Sequence, residues 1–288
     1  MDEATVTHRE AREVQLAVGD LVFDATLAGR VDGTPVVLLH GFPACRASWQ
    51  TVLPELAAAG LQVLAPDQRG YSPGARPTSV ADYEVDHLVA DVVGMLDTLG
   101  WERVHLVGHD WGSAVAWFVA ARHPERLHSL TAVSVPHPAA FGWALRNDAD
   151  QKAGSAYIQL LRAEGKAEQV LLEDGARRLR AMFSPEVPDA IVEQNLRTLV
   201  DGGGLTAALG WYRAMGPWFA DLPAVQVPTT YLWGARDDAL RRSGAERCGE
   251  HVDAPYRFVE LADADHWIPE CQGEAVVAEV LRHVRGAG

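Results

Sequence analysis

Cysteine is scarce in this chain: Cys45, Cys248 and Cys271 form an odd, widely scattered set with no CxxC spacing. That excludes a disulfide framework and a thiolate zinc site, and it fits a reducing compartment. Lysine is scarcer still, with Lys152 and Lys166 the sole examples among 25 basic residues, and the formal net charge is −14. Such an acidic chain is a poor partner for nucleic acid or for an anionic membrane surface. No uncharged apolar stretch reaches the length of a bilayer span. The segment from Met1 to Val14 is polar and charged, without the apolar core of a signal peptide. Internal repeats and low-complexity tracts are missing too. The expectation is a soluble, cytoplasmic globular protein, its self-association left open. With 288 residues, 48% hydrophobic and 22% charged, it can form one large α/β domain or a core with an inserted subdomain.

The hydrophobic pattern supports the second arrangement. Val14 to Leu27 alternate around Gly19-Asp20, the mark of a hairpin with glycine at the first turn position. Val36 to Leu39, Leu61 to Ala65, Val104 to Val107 and Leu130 to Val135 are apolar runs suited to strands buried on both faces. Between them lie stretches of helical spacing, from Trp49 to Gly60, from Leu88 to Gly100 and from about Ser113 to Pro124. This is β-α alternation around a mostly parallel sheet. From His137 to Pro223 strands vanish, and the spacing predicts helices near 151–163, 167–183, 187–200 and 204–216, with Gly202-Gly203-Gly204 as a loop. Alternation then resumes with a strand at Thr229 to Trp233, a helix near 240–250, a strand at Tyr256 to Leu261 and a final helix carrying Val276, Val280 and Val284. The expected division is a core over 1–136 and 224–288 and an all-helical cap over 137–223.

The chemistry centres on Gly108-His109-Asp110-Trp111-Gly112, directly after an apolar run. It has the form Gly-x-nucleophile-x-Gly, a strand-to-helix turn too tight for a β-carbon at its flanks. Serine is usual at its centre; here it is Asp110. A carboxylate is a poor acyl-transfer nucleophile, but it can displace a leaving group from a saturated carbon and become an alkyl ester. Water must then attack that ester, so a base and an oxyanion hole are still required. Epoxides and alkyl halides are the chief substrates that fit. The bland alternative is an ordinary aspartate after a strand.

Partners weigh against that alternative. His40-Gly41-Phe42-Pro43 ends a buried strand and can aim the backbone N–H of Phe42 beside that of Trp111, as an oxyanion hole. Asp237 follows the strand ending at Trp233, with Asp238 as competitor, whereas Val135-Pro136-His137-Pro138, the other place for an acid, offers none. His266 follows the last strand, with His251 less well placed. Nucleophile, acid and histidine thus come in the chain order this kind of fold requires. His40 and His109 read as structural neighbours.

These residues carry a resemblance. His40-Gly41-Phe42-Pro43, the Asp110 turn, Gly-x-x-Asp at Asp237, Asp-His-Trp at His266 and Asp67-Gln68-Arg69-Gly70-Tyr71 together resemble an α/β-hydrolase of the epoxide hydrolase group over nearly the whole chain. Ser72-Pro73-Gly74 departs from that family's usual continuation, in a loop of structural rather than chemical importance. The resemblance implies a mostly parallel sheet with an inserted helical cap, no cofactor and no metal. It also implies two cap tyrosines over the nucleophile, and Tyr157 (before Glu164-Gly165) and Tyr212 (in Trp211-Tyr212-Arg213) stand at matching positions. Phe42, Trp111 and Trp211 would line a pocket for a small apolar epoxide, among cap aromatics that include Trp143, Phe183 and Trp218. Haloalkane or haloacid dehalogenase chemistry with the same triad is the alternative, since Trp111 could be half of a halide cradle. A ligand-binding protein that kept the fold and lost catalysis is a third reading.

Overall fold

The computed structural model describes residues 8–216 and 222–286. Trp218 lies outside them. An eight-stranded sheet runs in the order β1-β2-β4-β3-β5-β6-β7-β8. Its strands are β1 (His8–Val18), β2 (Leu21–Arg30), β3 (Pro35–Leu39), β4 (Gln62–Pro66), β5 (Val104–His109), β6 (Leu127–Val133), β7 (Thr229–Gly234) and β8 (Tyr256–Leu261). β1 and β2 form an antiparallel hairpin, β2 pairs antiparallel with β4, and every pairing from β4 to β8 is parallel. The hairpin turns at Gly19, whose φ of +57° suits the first position of its two-residue loop.

Alternation along the central strands feeds two separate cores. Val36 and Leu38 of β3 pack with Val63, Val107 and the helices α1 (Val52–Ala58) and α12 (Gly273–Gly286). Val37 and Leu39 point the other way, into the core shared with α2 (Val85–Leu99) and α3 (Trp111–Arg122). A strand buried on both faces needs apolar residues at every position, which is why these runs are continuous. Gly100 ends α2 in the left-handed region, at φ +68°. No helix among the described residues is long and apolar enough to cross a membrane.

Between β6 and β7 the chain is helical: α4 (Pro138–Asn147), α5 (Ala149–Gly154), α6 (Tyr157–Arg162), α7 (Lys166–Arg180), α8 (Asp189–Leu196) and α9 (Leu205–Ala214). The details differ from the sequence-based expectation in three places. α4 was not expected; Pro138 opens it and the His137 Nδ1 accepts the N–H of Ala139 at 3.2 Å, capping it. The expected helix over 151–163 is two helices. Gln151 ends the first by bonding Ser155 Oγ and the carbonyl of Ala239, at 2.9 and 2.7 Å, and Gly154 sits so close that a Cβ would stand 2.7 Å from the Asp238 carbonyl. The helix expected over 167–183 leaves helical geometry between Glu173 and Ala176. After β7 come α10 (Arg242–Arg247), β8 and the short α11 (Ile268–Cys271).

Candidate active site

The loops that follow β3, β5, β7 and β8 all leave the same, carboxyl edge of the parallel sheet, where open α/β sheets place their sites. β5 lies between β3 and β6, with Gly108 opposite Leu39 and His109 opposite Val133. The next residue, Asp110, takes φ +53° and ψ −120°, a strained conformation for a non-glycine residue. The flanking glycines are required by closeness: a Cβ on Gly108 would stand 2.3 Å from the Gly112 carbonyl, and one on Gly112 would stand 2.2 Å from that of Leu39. Gly41 is confined in the same way, by Asp110 itself, with a Cβ only 2.2 Å from Oδ1. The backbone comes that near so that the N–H of Phe42 can donate to Asp110 Oδ1, at 2.7 Å. Trp111 starts α3, where backbone N–H groups point out of the helix end.

His266 faces the other carboxylate oxygen, with Nε2 3.5 Å from Asp110 Oδ2. Its Nδ1 is 2.8 Å from Asp237 Oδ2, and Asp237 Oδ1 accepts the N–H groups of Ala239 and Leu240 at 2.8 and 2.9 Å. Asp237 is buried, whereas the Asp238 side chain is 97% exposed and pairs with Arg241. The histidine therefore meets Asp237 and not its neighbour. Burial favours a neutral His266, but the charge of Asp237, the hydrogen bond that His266 donates to it and the nearby Asp110 carboxylate hold it well above the ordinary histidine value. Burial likewise works against the Asp110 carboxylate, and the hydrogen bond and charge of His266 overcome it and keep Asp110 below the ordinary range. Each group thus favours the charged form of the other.

Two residues hold this histidine in place: His109, read from sequence as a structural neighbour, and Ser134, which the sequence reading did not single out. The His266 carbonyl accepts His109 Nε2–H at 2.8 Å and Ser134 Oγ–H at 2.9 Å. Burial pushes His109 down to about 3, so it works as a neutral donor. His40, pushed down to about 4 by burial, accepts the Gln68 N–H at 3.1 Å and ties the Phe42 loop to the loop after β4. In that second loop Arg69 grips Asp91 with two bonds of 2.7 Å, and Ser72 donates to the Asp67 carbonyl at 2.6 Å while accepting the Asp24 N–H at 2.9 Å. The unusual Ser72 is thus a buried structural member. His251 stacks on His137, ring centroids 4.6 Å apart.

A cavity of about 450 Å³ opens over Asp110, with a narrow extension of about 40 Å³ behind it. Tyr157 and Tyr212 line both, facing Asp110 from the cap, with their rings 6.5 Å apart. Tyr212 is buried edge-on to Trp111 and Phe42, at 5.1 and 5.3 Å, while Tyr157 is 37% exposed toward the opening. Burial of its hydroxyl end, and then the charge of Asp110, push Tyr157 above the usual phenol range although its ring is partly exposed; burial, Tyr157 and Asp110 do the same to Tyr212. Both are protonated donors at rest. Phe183 stacks on Trp267 at 4.6 Å, and both line the wider cavity with Phe42. Trp111 lines the narrow extension.

Trp211 departs from the expectation that it lines the pocket. It is absent from the cavity walls because its indole N–H is spent on the Arg69 carbonyl, at 2.8 Å, and its ring supports Trp111 from behind at 5.7 Å. Trp143 packs instead under the Arg247 guanidinium, 4.1 Å from the ring centroid.

Comparison with known proteins agrees with this geometry. Residues 34–270 match the family model described as alpha/beta hydrolase fold. The chain is 34% identical to the AB hydrolase superfamily protein YfhM of Bacillus subtilis, over 90% of this chain and 92% of that one. It is 32% identical to Epoxide hydrolase A of Mycobacterium tuberculosis, over 88% of this chain and 91% of that one. Among solved structures, Epoxide Hydrolase A from Mycobacterium thermoresistibile superposes with a TM-score of 0.85 at 28% identity, covering 96% of this chain and 99% of the other. The chain belongs to the α/β-hydrolase fold family, in its epoxide hydrolase group.

Proposed function

We propose that this protein hydrolyses epoxides to vicinal diols through an ester on Asp110. The observation that carries the reading is the pair of protonated tyrosines facing the nucleophile across the cavity. Their O–H groups bind the epoxide oxygen and polarise the ring while Asp110 attacks a ring carbon, breaking its C–O bond. The opening alkoxide takes a proton from a tyrosine. Esterification removes the Asp110 charge that raises both tyrosines, so the transient tyrosinate forms just when it becomes easier to form. Loss of that charge also lowers the proton affinity of His266, and the histidine enters the second half-reaction as a neutral base.

His266, held by Asp237, then takes a proton from water as the hydroxide adds to the Asp110 carbonyl carbon. The N–H groups of Phe42 and Trp111 steady the oxyanion. Collapse expels the second alkoxide, which takes the proton from His266, and the remaining proton on Asp110 returns to the tyrosinate. Water and epoxide are fully accounted for in the diol.

The dehalogenase reading fits less well because the Trp111 side chain is engaged with Tyr212, edge-on at 5.1 Å and close enough to ease its phenolate charge, and a halide cradle would need that N–H. The aromatic and apolar walls formed by Phe42, Met182, Phe183 and Trp267 suit aryl or alkyl substituents. The unpaired thiols of Cys45, Cys248 and Cys271 agree with a cytoplasmic setting. The test is product analysis with a phenyl-substituted epoxide and a short bromoalkane side by side. Diol without halide release is expected; halide release without diol would transfer the assignment to dehalogenation.

A further inference from the structure

Glu270 is a buried acid that the reaction just described does not use. The other buried carboxyl groups among the described residues all have partners: Asp67 has Arg46, Asp91 has Arg69, Asp110 has His266 and Phe42, Asp237 has His266 and two N–H groups, and Glu279 has Arg257 and Arg282. Glu270 is only 5% exposed, yet neither of its oxygens has a hydrogen-bond partner. Beside it, in the 3-10 turn Arg46–Trp49, a further fully buried group is unpartnered, Ser48 Oγ. The Ser48 hydroxyl lies close enough to ease the Glu270 charge without forming a well-aligned bond. Thr51 Oγ1 donates to the Pro269 carbonyl at 2.9 Å and pins the two segments together.

The place of this cluster matters. Its two segments continue directly from the two loops that serve the ester: one runs on from Phe42-Pro43, the other from Asp265-His266-Trp267, and all five of those residues line the cavity. The cluster lies outside the cavity lining but near enough to His266 for Glu270 to feel its charge. A hydroxyl and a carboxyl, with several bonding positions unused, make a polar niche of the kind that binds water.

We propose that Glu270 and Ser48 form a water-binding site that supplies and orients water for hydrolysis of the Asp110 ester. Glu270 is then a positioning residue of the second half-reaction alone. Burial pushes its carboxyl up to about 7, with the nearby charge of His266 drawing it down, so it can serve as donor or acceptor to that water near neutral pH. The inference rests on the epoxide hydrolase reading.

The test is rapid quench of wild type and Glu270→Gln with a phenyl-substituted epoxide, following the ester by intact mass. The variant is expected to form ester at the wild-type rate and to hydrolyse it about 10-fold or more slowly, so that ester accumulates. Its Tm should stay level or rise, because an unpaired buried acid has been neutralised. Ser48→Ala should slow hydrolysis in the same selective way, and it carries the test should Glu270→Gln fail to fold. Equal slowing of both steps, or an unchanged ratio between them, would overturn the proposal. Wild type that turns over epoxide without any ester would overturn the covalent reading itself, and this inference with it.

Discussion

The two walls of the cavity are built by different physics. The sheet side is held by backbone: a strained Asp110, glycines at 108, 112 and 41 with no room for a Cβ, and a histidine whose carbonyl and side chain are both tethered. The cap side is held by side chains. Tyr212 stands against Trp111 and Phe42 by ring contacts, Trp211 reaches back to the Arg69 carbonyl, and Gln151 stitches the cap to the loop after Asp237. Backbone constraints fix atoms to within tenths of an ångström, as nucleophile and oxyanion donors require. Ring packing tolerates more adjustment, so substrate range can change on the cap without disturbing the chemistry below.

That contrast can be tested by breaking each wall. Gly41→Ala puts a methyl group where Asp110 Oδ1 lies; it should cost at least ~100-fold in ester formation with little change in KM. A loss below ~10-fold would mean that the backbone wall yields more than the geometry allows. On the cap, Tyr157→Phe and Tyr212→Phe should each lose roughly 10- to 1000-fold in turnover, one general-acid contact among two. Full activity in either would make that tyrosine a packing residue.

Acidification separates the two half-reactions. Attack needs the Asp110 carboxylate, which is held below the ordinary range and so survives mild acid. Hydrolysis needs neutral His266, and the charge of Asp237, which stays after Asp110 is esterified, still favours its protonated form, so lowering the pH slows that step. The fraction of enzyme present as ester at steady state should therefore rise as pH falls from about 8 to about 5. A fraction that stays level or falls would reverse the assignment. The smallest effect should come from Gln151→Leu, which removes bonds to Ser155, Ala239 and Arg241. The loss of about 1–3 kcal/mol should lower Tm by about 2–10 °C, raising KM more than it lowers kcat.

The same division governs what could be read from sequence. Asp110, Asp237 and His266 were legible because each follows a strand whose apolar run marks the sheet edge, and their chain order completes the pattern. Tyr212 came from a short run of neighbouring residues. The holding roles of His109 and Ser134 were hidden, since both reach a carbonyl more than a hundred residues away, and no local pattern encodes that contact. The break at Ser155 was illegible for the same reason: the Gln151 side chain turns to a loop far along the chain. Trp211 was misdirected because helical spacing places it near Tyr212 but cannot tell which of the two faces the cavity.

The central claim is the ester on Asp110, and its most direct measurement is the intact mass of His266→Gln after exposure to an epoxide. The base that would release the ester is gone while the nucleophile, its N–H donor and both tyrosines are untouched. The account predicts a stable gain equal to one epoxide, absent when Asp110→Asn is added. A protein of unchanged mass that still consumed the epoxide would contradict it.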